Sequence, residues 1–320
     1  MWYEVIIYVL LLALGFVLLA KGSDLFVDGS ASFANKAKIP QLVIGLTIVA
    51  MGTSAPEAAV SISSALAGSA EISVGNVVGS NILNVLIILG ISATIVPLAV
   101  RKVSQILDIP MVLLATVVLF VLGLFGSINF VGGIILLLIF VGYLAILFVN
   151  AFKAKKANGG VIAPEDEVEI KDMPVWKSIL FTVFGLAMII LGSNATVDSA
   201  TWLAKFIGVS DRFIGLTVVA LGTSLPELFT SVTAARKGNA DIAVGNIVGS
   251  NIFNILFVLG ITSLIIPVPF ESKFFIDTAV AFVAALFILL VSLKSKKIAR
   301  WSGITMLVAY AGYFVYLLLV

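Results

Sequence analysis

The residue pattern predicts an all-α polytopic membrane protein. It predicts ten transmembrane helices built as two inverted five-helix repeats, with the N-terminus and the C-terminus outside. Three observations carry this. Of the 320 residues 61% are hydrophobic and 11% are charged, with a mean hydropathy of +1.21, whereas a soluble domain is about 25% charged. Apolar stretches of about 20 residues or more, the length that crosses a ~30 Å hydrocarbon layer, fill most of the chain. Residues 41–90 recur at 211–260 without a gap.

Charge, Gly and Pro punctuate the chain into spans at 4–34, 40–68, 72–97, 105–125, 129–150, 174–206, 211–237, 240–267, 273–293 and 300–319. The first has no basic segment before it and no cleavage site, so it is expected to be a retained helix, not a signal peptide. With the N-terminus outside, the inside loops hold 15 of the 19 Lys and Arg residues, including Lys36, Lys38, Arg101, Lys102, Arg236, Lys237 and the run from Lys294 to Arg300. Outside loops hold Lys205, Arg212 and Lys273. Basic residues favour the cytoplasmic side, and a wrong span count would scramble that bias.

The stretch KAKKANGGVIAPEDEVEIKDMP, residues 153–174, divides five spans from five. The expected organisation is a first five-helix repeat over 1–150, a cytoplasmic linker over 151–173 and a second, inverted repeat over 174–320. The acidic cluster Glu165, Asp166, Glu167 and Glu169 reads as a solvated loop, since EF-hand spacing is absent. There are no cysteines and no histidines, which removes disulfides, thiolate metal sites and the commonest transition-metal ligand. No basic stripe suggests nucleic acid, and no P-loop suggests an ATP-driven pump. The chain is not expected to be an enzyme or to need a cofactor, and no obligatory protein partner is implied.

In the repeat, VAMGTSAPE becomes VALGTSLPE, and ISVGNVVGSNILNVLIILG becomes IAVGNIVGSNIFNILFVLG. At a constant offset of 170 residues, 28 of the 50 aligned positions are identical. Weaker similarity runs backwards: Gly22, Ser23 and Asp24 align with Gly192, Ser193 and Asn194, and Asp28 with Asp198. A five-helix unit is odd, so its second copy enters the membrane from the opposite side. Many secondary transporters share this plan, with the substrate held at the midplane between interrupted helices.

Pro56 and Pro226 each remove a helical amide, and Gly52 and Gly222 loosen the same turn. Freed carbonyls are tolerated at membrane depth only where they are buried in protein or line a cavity, and there they can face a cation. Hard cations take oxygen ligands, six to eight for Ca²⁺. The first motif offers carbonyls near Ala50 and Thr53, the hydroxyls of Thr53 and Ser54, and the carboxylate of Glu57. The second offers Ala220, Thr223, Ser224 and Glu227. Ser80 and Asn84, repeated as Ser250 and Asn254, sit at i, i+4 on one helix face. Isolated Ser, Thr and Asn residues also simply hold membrane helices together, and Asn81 and Asn251 are read that way. The glutamates are different. An intramembrane carboxylate costs about 2.5 kcal/mol or more, and two of them in matched motifs without a Lys or Arg nearby need a cation or a proton. Asp24, Asp28 and Asp198 either line an access path or cap helices.

GTSAPE with GTSLPE, each followed by GNxVGSNIxN, resembles the paired alpha repeats of the calcium/cation antiporter superfamily, and is most similar to the prokaryotic sodium/calcium exchangers. The resemblance covers the whole ten-span plan and is strong over about 100 residues. It implies a diamond of four cation sites at the membrane centre and Na⁺ and Ca²⁺ as the transported ions. Glu57 and Glu227 would be the main calcium ligands, helped by the carbonyls of Thr53 and Thr223. Sodium would use Ala50, Ser54, Ser80 and Glu57 with Ala220, Ser224, Ser250 and Glu227, while Asn84 and Asn254 complete the middle. Asn254 stands where potassium-dependent relatives carry an aspartate, which argues against potassium co-transport. The resemblance also implies electrogenic exchange of three Na⁺ for one Ca²⁺ by alternating access, a multi-pass protein of the prokaryotic cell membrane, and long first and sixth spans that slide as the gate. The rival readings are a proton/calcium or other cation/proton antiporter, in which the glutamates protonate, and a cation channel.

Overall fold

The computed structural model describes residues 2–157, 171–208 and 220–319. They fold as a bundle of long helices. α1 is Trp2–Ala37, α2 Gln41–Thr53, α3 Ala55–Leu66, α4 Glu71–Ile95, α5 Ser104–Gly123 and α6 Phe130–Ala157. After the linker come α7 Val175–Phe206, α8 Ala220–Thr223, α9 Leu225–Arg236, α10 Ala240–Ile265, α11 Lys273–Ser295 and α12 Arg300–Leu319. Among the described residues eight helices are long and apolar enough to cross a membrane, and α2 with α3, bent by 47°, makes a ninth. The expected seventh span falls partly on residues 209–219, which lie outside the described residues, as does the acidic cluster of the linker. The protein is a multi-pass membrane protein.

The repeat is visible in the backbone. All six described residues with positive φ form three pairs at the 170-residue offset: Lys38 with Gly208, Gly68 with Gly238, and Gly126 with Lys296. Each closes a helix or turn in the left-handed conformation that glycine favours. Two short antiparallel bridges obey the same rule. β1 (Leu98–Ala99) pairs with β4 (Lys297–Ile298), and β2 (Ser127–Ile128) pairs with β3 (Val268–Pro269). Leu98 opposite Ile298 becomes, at that offset, Val268 opposite Ile128. Short π-helical segments at Asn84–Leu89 and Phe253–Val258 correspond to within one residue of that offset. Such wide turns are frequent at functional sites.

Burial separates a core from a periphery. The most apolar windows of α10 and α4 are 94% and 72% buried, whereas those of α1 and α7 are 17% and 22% buried. α1 and α7 instead pack closely on each other, antiparallel, along a glycine seam. Gly15 meets Gly192, Gly22 meets Gly185, and Gly29 meets Ser178. A Cβ on Gly185 would lie 2.5 Å from the amide nitrogen of Phe26 and 2.8 Å from the carbonyl of Gly22, so only glycine lets the backbones approach.

A Gly185→Val variant is therefore expected to lose about 1–3 kcal/mol of stability by overpacking, read as a lowered unfolding temperature in detergent. Gly142→Ala, where no atom lies within 4 Å of the added carbon, should be neutral.

Candidate functional site

The site forms where the two repeats break their helices. α2 stops at Thr53 and α3 restarts at Ala55, with Ser54 (φ −82°, ψ 8°) at the break and Pro56 in the first turn of α3. Pro56 has no amide hydrogen for the carbonyl one turn back, and its ring crowds that carbonyl. In the second repeat α8 ends at Thr223, Ser224 (φ −90°, ψ 6°) marks the break, and Pro226 opens α9. Glu57 and Glu227 thus each fall in the first turn of a new helix, where unpaired amides and the helix dipole favour a carboxylate. They are 1% and 0% exposed.

The two motifs interlock. Ser54 Oγ donates to Glu227 Oε1 at 2.7 Å, and Ser224 Oγ donates to Glu57 Oε1 at 3.2 Å. Ser250 Oγ lies 3.4 Å from both Glu227 Oε1 and the Ala50 carbonyl. The Thr223 hydroxyl lies beside Glu57 and the Thr53 hydroxyl beside Glu227, and Thr53 Oγ1 also donates to Asn246 Oδ1 at 2.9 Å. Ser80 is buried at the place matching Ser250, with no hydrogen bond into this set among the described residues. Ala220 opens α8, one turn before Ser224.

Asparagines complete the centre. Asn81 and Asn251 each donate to the other's backbone carbonyl, at 3.1 and 3.4 Å. Their side-chain oxygens accept from Asn254 and Asn84, at 3.3 and 3.0 Å. Asn81 and Asn251 therefore act as helix-to-helix contacts, as the sequence suggested. They also hold the amides of Asn84 and Asn254, which leaves the oxygens of those two free.

Among the carboxylates and asparagines of this site, four buried oxygens have no hydrogen-bond partner among the described residues: Glu57 Oε2, Glu227 Oε2, Asn84 Oδ1 and Asn254 Oδ1. All four are acceptors, and they form two repeat-related pairs. Among the described residues neither glutamate joins an ion pair with Lys or Arg, and no third acidic residue clusters with them. Buried acceptors are normally satisfied, and an unpaired buried charge costs several kcal/mol. Desolvated oxygens, two of them on carboxylates, with no donor to meet them suit a hard cation.

Sequence reasoning missed Asn76 and Asn246. Asn76 Nδ2 donates to the Glu57 carbonyl at 3.0 Å and to Ser61 Oγ at 2.9 Å; Asn246 Nδ2 reaches the Glu227 carbonyl at 3.4 Å and Ser231 Oγ at 2.9 Å. They fix the first turn of the helix that carries each glutamate. Their signal was identity at both copies of the motif, which alone does not say what an asparagine holds.

Access to the site differs on the two sides. A cleft of about 410 Å³ is lined by Pro56, Asn194, Val197, Asp198, Gly222 and Thr223. It lies between α7 and the two helix breaks, toward the face where α1 begins, and Asp198 is part of its lining. Toward the opposite face α1 packs against α9: the Phe16 and Phe229 rings lie 6.3 Å apart, tilted by 41°, and the hydroxyls of Ser23 and Thr233 are 2.8 Å apart.

Comparison with known proteins agrees. The family described as Sodium/calcium exchanger protein matches residues 7–149 and again 177–319, two stretches offset by the same 170 residues. A putative antiporter CaxA from Alkalimonas amylolytica is 37% identical, covering 93% of this chain and 95% of its own. The sodium/calcium exchanger MaX1 of Methanosarcina acetivorans is 33% identical over 96% of this chain and 97% of its own. The solved structure of the sodium-calcium exchanger NCX_Mj, soaked with 2.5 mM Na⁺ and 10 mM Sr²⁺, matches with a TM-score of 0.82 at 35% identity, covering 96% of this chain and 97% of that one. The chain belongs to the sodium/calcium exchanger family.

Proposed function

We propose that the protein is a secondary active antiporter of the cell membrane that exchanges Na⁺ for Ca²⁺ by alternating access, moving three Na⁺ against one Ca²⁺. The observation that carries this reading is the set of four unpartnered buried oxygens on Glu57, Glu227, Asn84 and Asn254. Glu57 and Glu227 are the main calcium ligands, with the carbonyls of Thr53 and Thr223. Sodium ions use Ala50, Ser54, Ser80 and Glu57 and their counterparts Ala220, Ser224, Ser250 and Glu227. Two carboxylates neutralise one Ca²⁺, whereas three Na⁺ leave the site at a net +1. Both ions need the same glutamates, so full occupancy by one excludes the other, and this exclusion couples their movements.

The reading includes ten spans, repeats over 1–150 and 174–320 joined by a cytoplasmic linker over 151–173, and both termini outside. The paired turns support that count. β2 and β3 pair with each other; with that pair at one bilayer face, the chain between Ile128 and Val268 crosses an even number of times. α6, α7 and α10 supply three crossings, and the segment holding α8 and α9 supplies the fourth. The cleft supports alternation: it comes up to Thr223 from the outer side and stops short of the buried glutamates, while α1 packs on α9 toward the inner side.

Calcium-45 uptake into sodium-loaded vesicles tests the central claim. Wild type should take up calcium only with outward-directed sodium. Glu57→Gln and Glu227→Gln should each abolish uptake, at least 100-fold, since each removes half of the compensating charge. Uptake driven by a pH gradient without sodium would favour the cation/proton reading instead.

The charge count makes a second outcome measurable in proteoliposomes at clamped potential. An inside-positive potential should speed calcium uptake against internal sodium, because each turnover carries one positive charge outward and ~2.3 kcal/mol acts on a unit charge per 100 mV. Voltage-independent exchange would remove the three-to-one stoichiometry.

A further inference from the structure

The inner closure between α1 and α9 continues into a lysine bridge with no counterpart at the matching outer position. Lys237, just after the end of α9, places Nζ 2.6 Å from Asp28 Oδ1, 3.2 Å from Asp24 Oδ1 and 3.1 Å from the Asp24 carbonyl. α9 belongs to the helix-break core, whereas Asp24 and Asp28 belong to α1 of the peripheral pair. At the 170-residue offset the aspartates become Asn194 and Asp198, and Lys237 becomes Ala67. The lysine is thus missing on the side where the cleft lies.

Asp28 has a second cation. Lys171 Nζ lies 2.7 Å from Asp28 Oδ2, so the two lysines hold the two oxygens of one carboxylate. Lys171 comes from the end of the linker, and that end is fastened to the same α1–α7 pair. Lys36 pairs with Asp172, the Met173 amide donates to Ser32 Oγ at 3.2 Å, and Ser178 at the start of α7 donates to Ser32 Oγ at 3.0 Å. Lys171 therefore travels with α1 and α7, whereas Lys237 stays with the core.

We propose that Lys237 is a latch on the inner gate and that Lys171 is its release partner. In the state described here Lys237 ties Asp24 and Asp28 to α9 and holds the inner side shut. When the α1–α7 pair moves relative to the core, Asp28 leaves Lys237 but keeps Lys171, so its charge is not left bare. Lys237 lowers the population of the inward-open state, and Lys171 raises it by competing for the same carboxylate. Among the described residues Ala67, which stands where Lys237 stands, can form no such bridge to Asn194 and Asp198, so the two halves of the cycle are unequal although the repeats are related by symmetry. A ligand that binds one state pays for the population of that state in apparent affinity, so the latch favours capture of ions at the outer face. This inference rests on the alternating-access reading.

The chain has no cysteine, so Thr233→Cys, on the closed inner seam, supplies a single reporter. Its rate of modification by an impermeant maleimide is measured in inside-out vesicles at fixed symmetric NaCl. Adding Lys237→Gln should raise the rate roughly 2- to 10-fold, the range expected for the loss of partly exposed ion pairs. Adding Lys171→Gln should lower it at least twofold, and Lys237→Arg should leave it at the reporter's own rate. A merely structural role would move both Gln variants in the same direction. An unchanged rate with Lys237→Gln, or a faster one with Lys171→Gln, overturns the latch. The readout needs no calcium: opposite shifts in a protein that fails to exchange calcium for sodium would keep the latch and discard the exchange reading.

Discussion

Two carboxylates that cannot satisfy each other organise this molecule. Glu57 and Glu227 are fully buried, come from opposite repeats, and face no Lys or Arg among the described residues. Hydroxyls cover one oxygen of each and leave the other bare. The fold around them repeatedly supplies oxygen without supplying positive charge. The helix breaks put each glutamate in a first turn, and the asparagine lattice presents further acceptors. An internal cation would remove the need for an external one, so the lack of lysine here is as much a design feature as the glutamates.

The pseudo-symmetry is enforced at several levels. Positive-φ turns and strand registers recur at one offset, and a π segment falls within one residue of it. Ser54 with Glu227 and Ser224 with Glu57 are the same contact seen from either repeat. The symmetry is broken around α1 and α7, where a cleft lined by Asn194 and Asp198 at α7 answers a set of ion pairs at Asp24 and Asp28 of α1, and again where Arg101 pairs with Asp241.

Much of this was legible in the sequence because membrane burial makes its exceptions conspicuous. A Glu beside a Pro in an apolar run has few structural explanations, and a repeat of 28 identities in 50 positions aligns both copies directly. Span positions followed from hydropathy, and α4, α5, α11 and α12 begin within one residue of the expected starts. The roles of Asn76 and Asn246 were not legible, because a motif shows that a residue recurs but not which carbonyl it holds. The bridge from Lys237 to Asp24 and Asp28 joins positions about 210 residues apart with no periodicity between them. The cleft depends on how α7 sits against α3, and neither sequence alone encodes that geometry.

The smallest elements carry a consequence for how the molecule can move. β1 with β4 and β2 with β3 lace one repeat to the other at the ends of the long helices, and the Asn81–Asn251 exchange laces them again in the middle. Two halves stitched at top, bottom and centre cannot rock apart like jaws. α1 and α7 carry none of these stitches; a smooth glycine seam joins them to each other. In the proposed alternation the stitched frame is the part held in place, and α1 and α7 are the helices left free to shift across it.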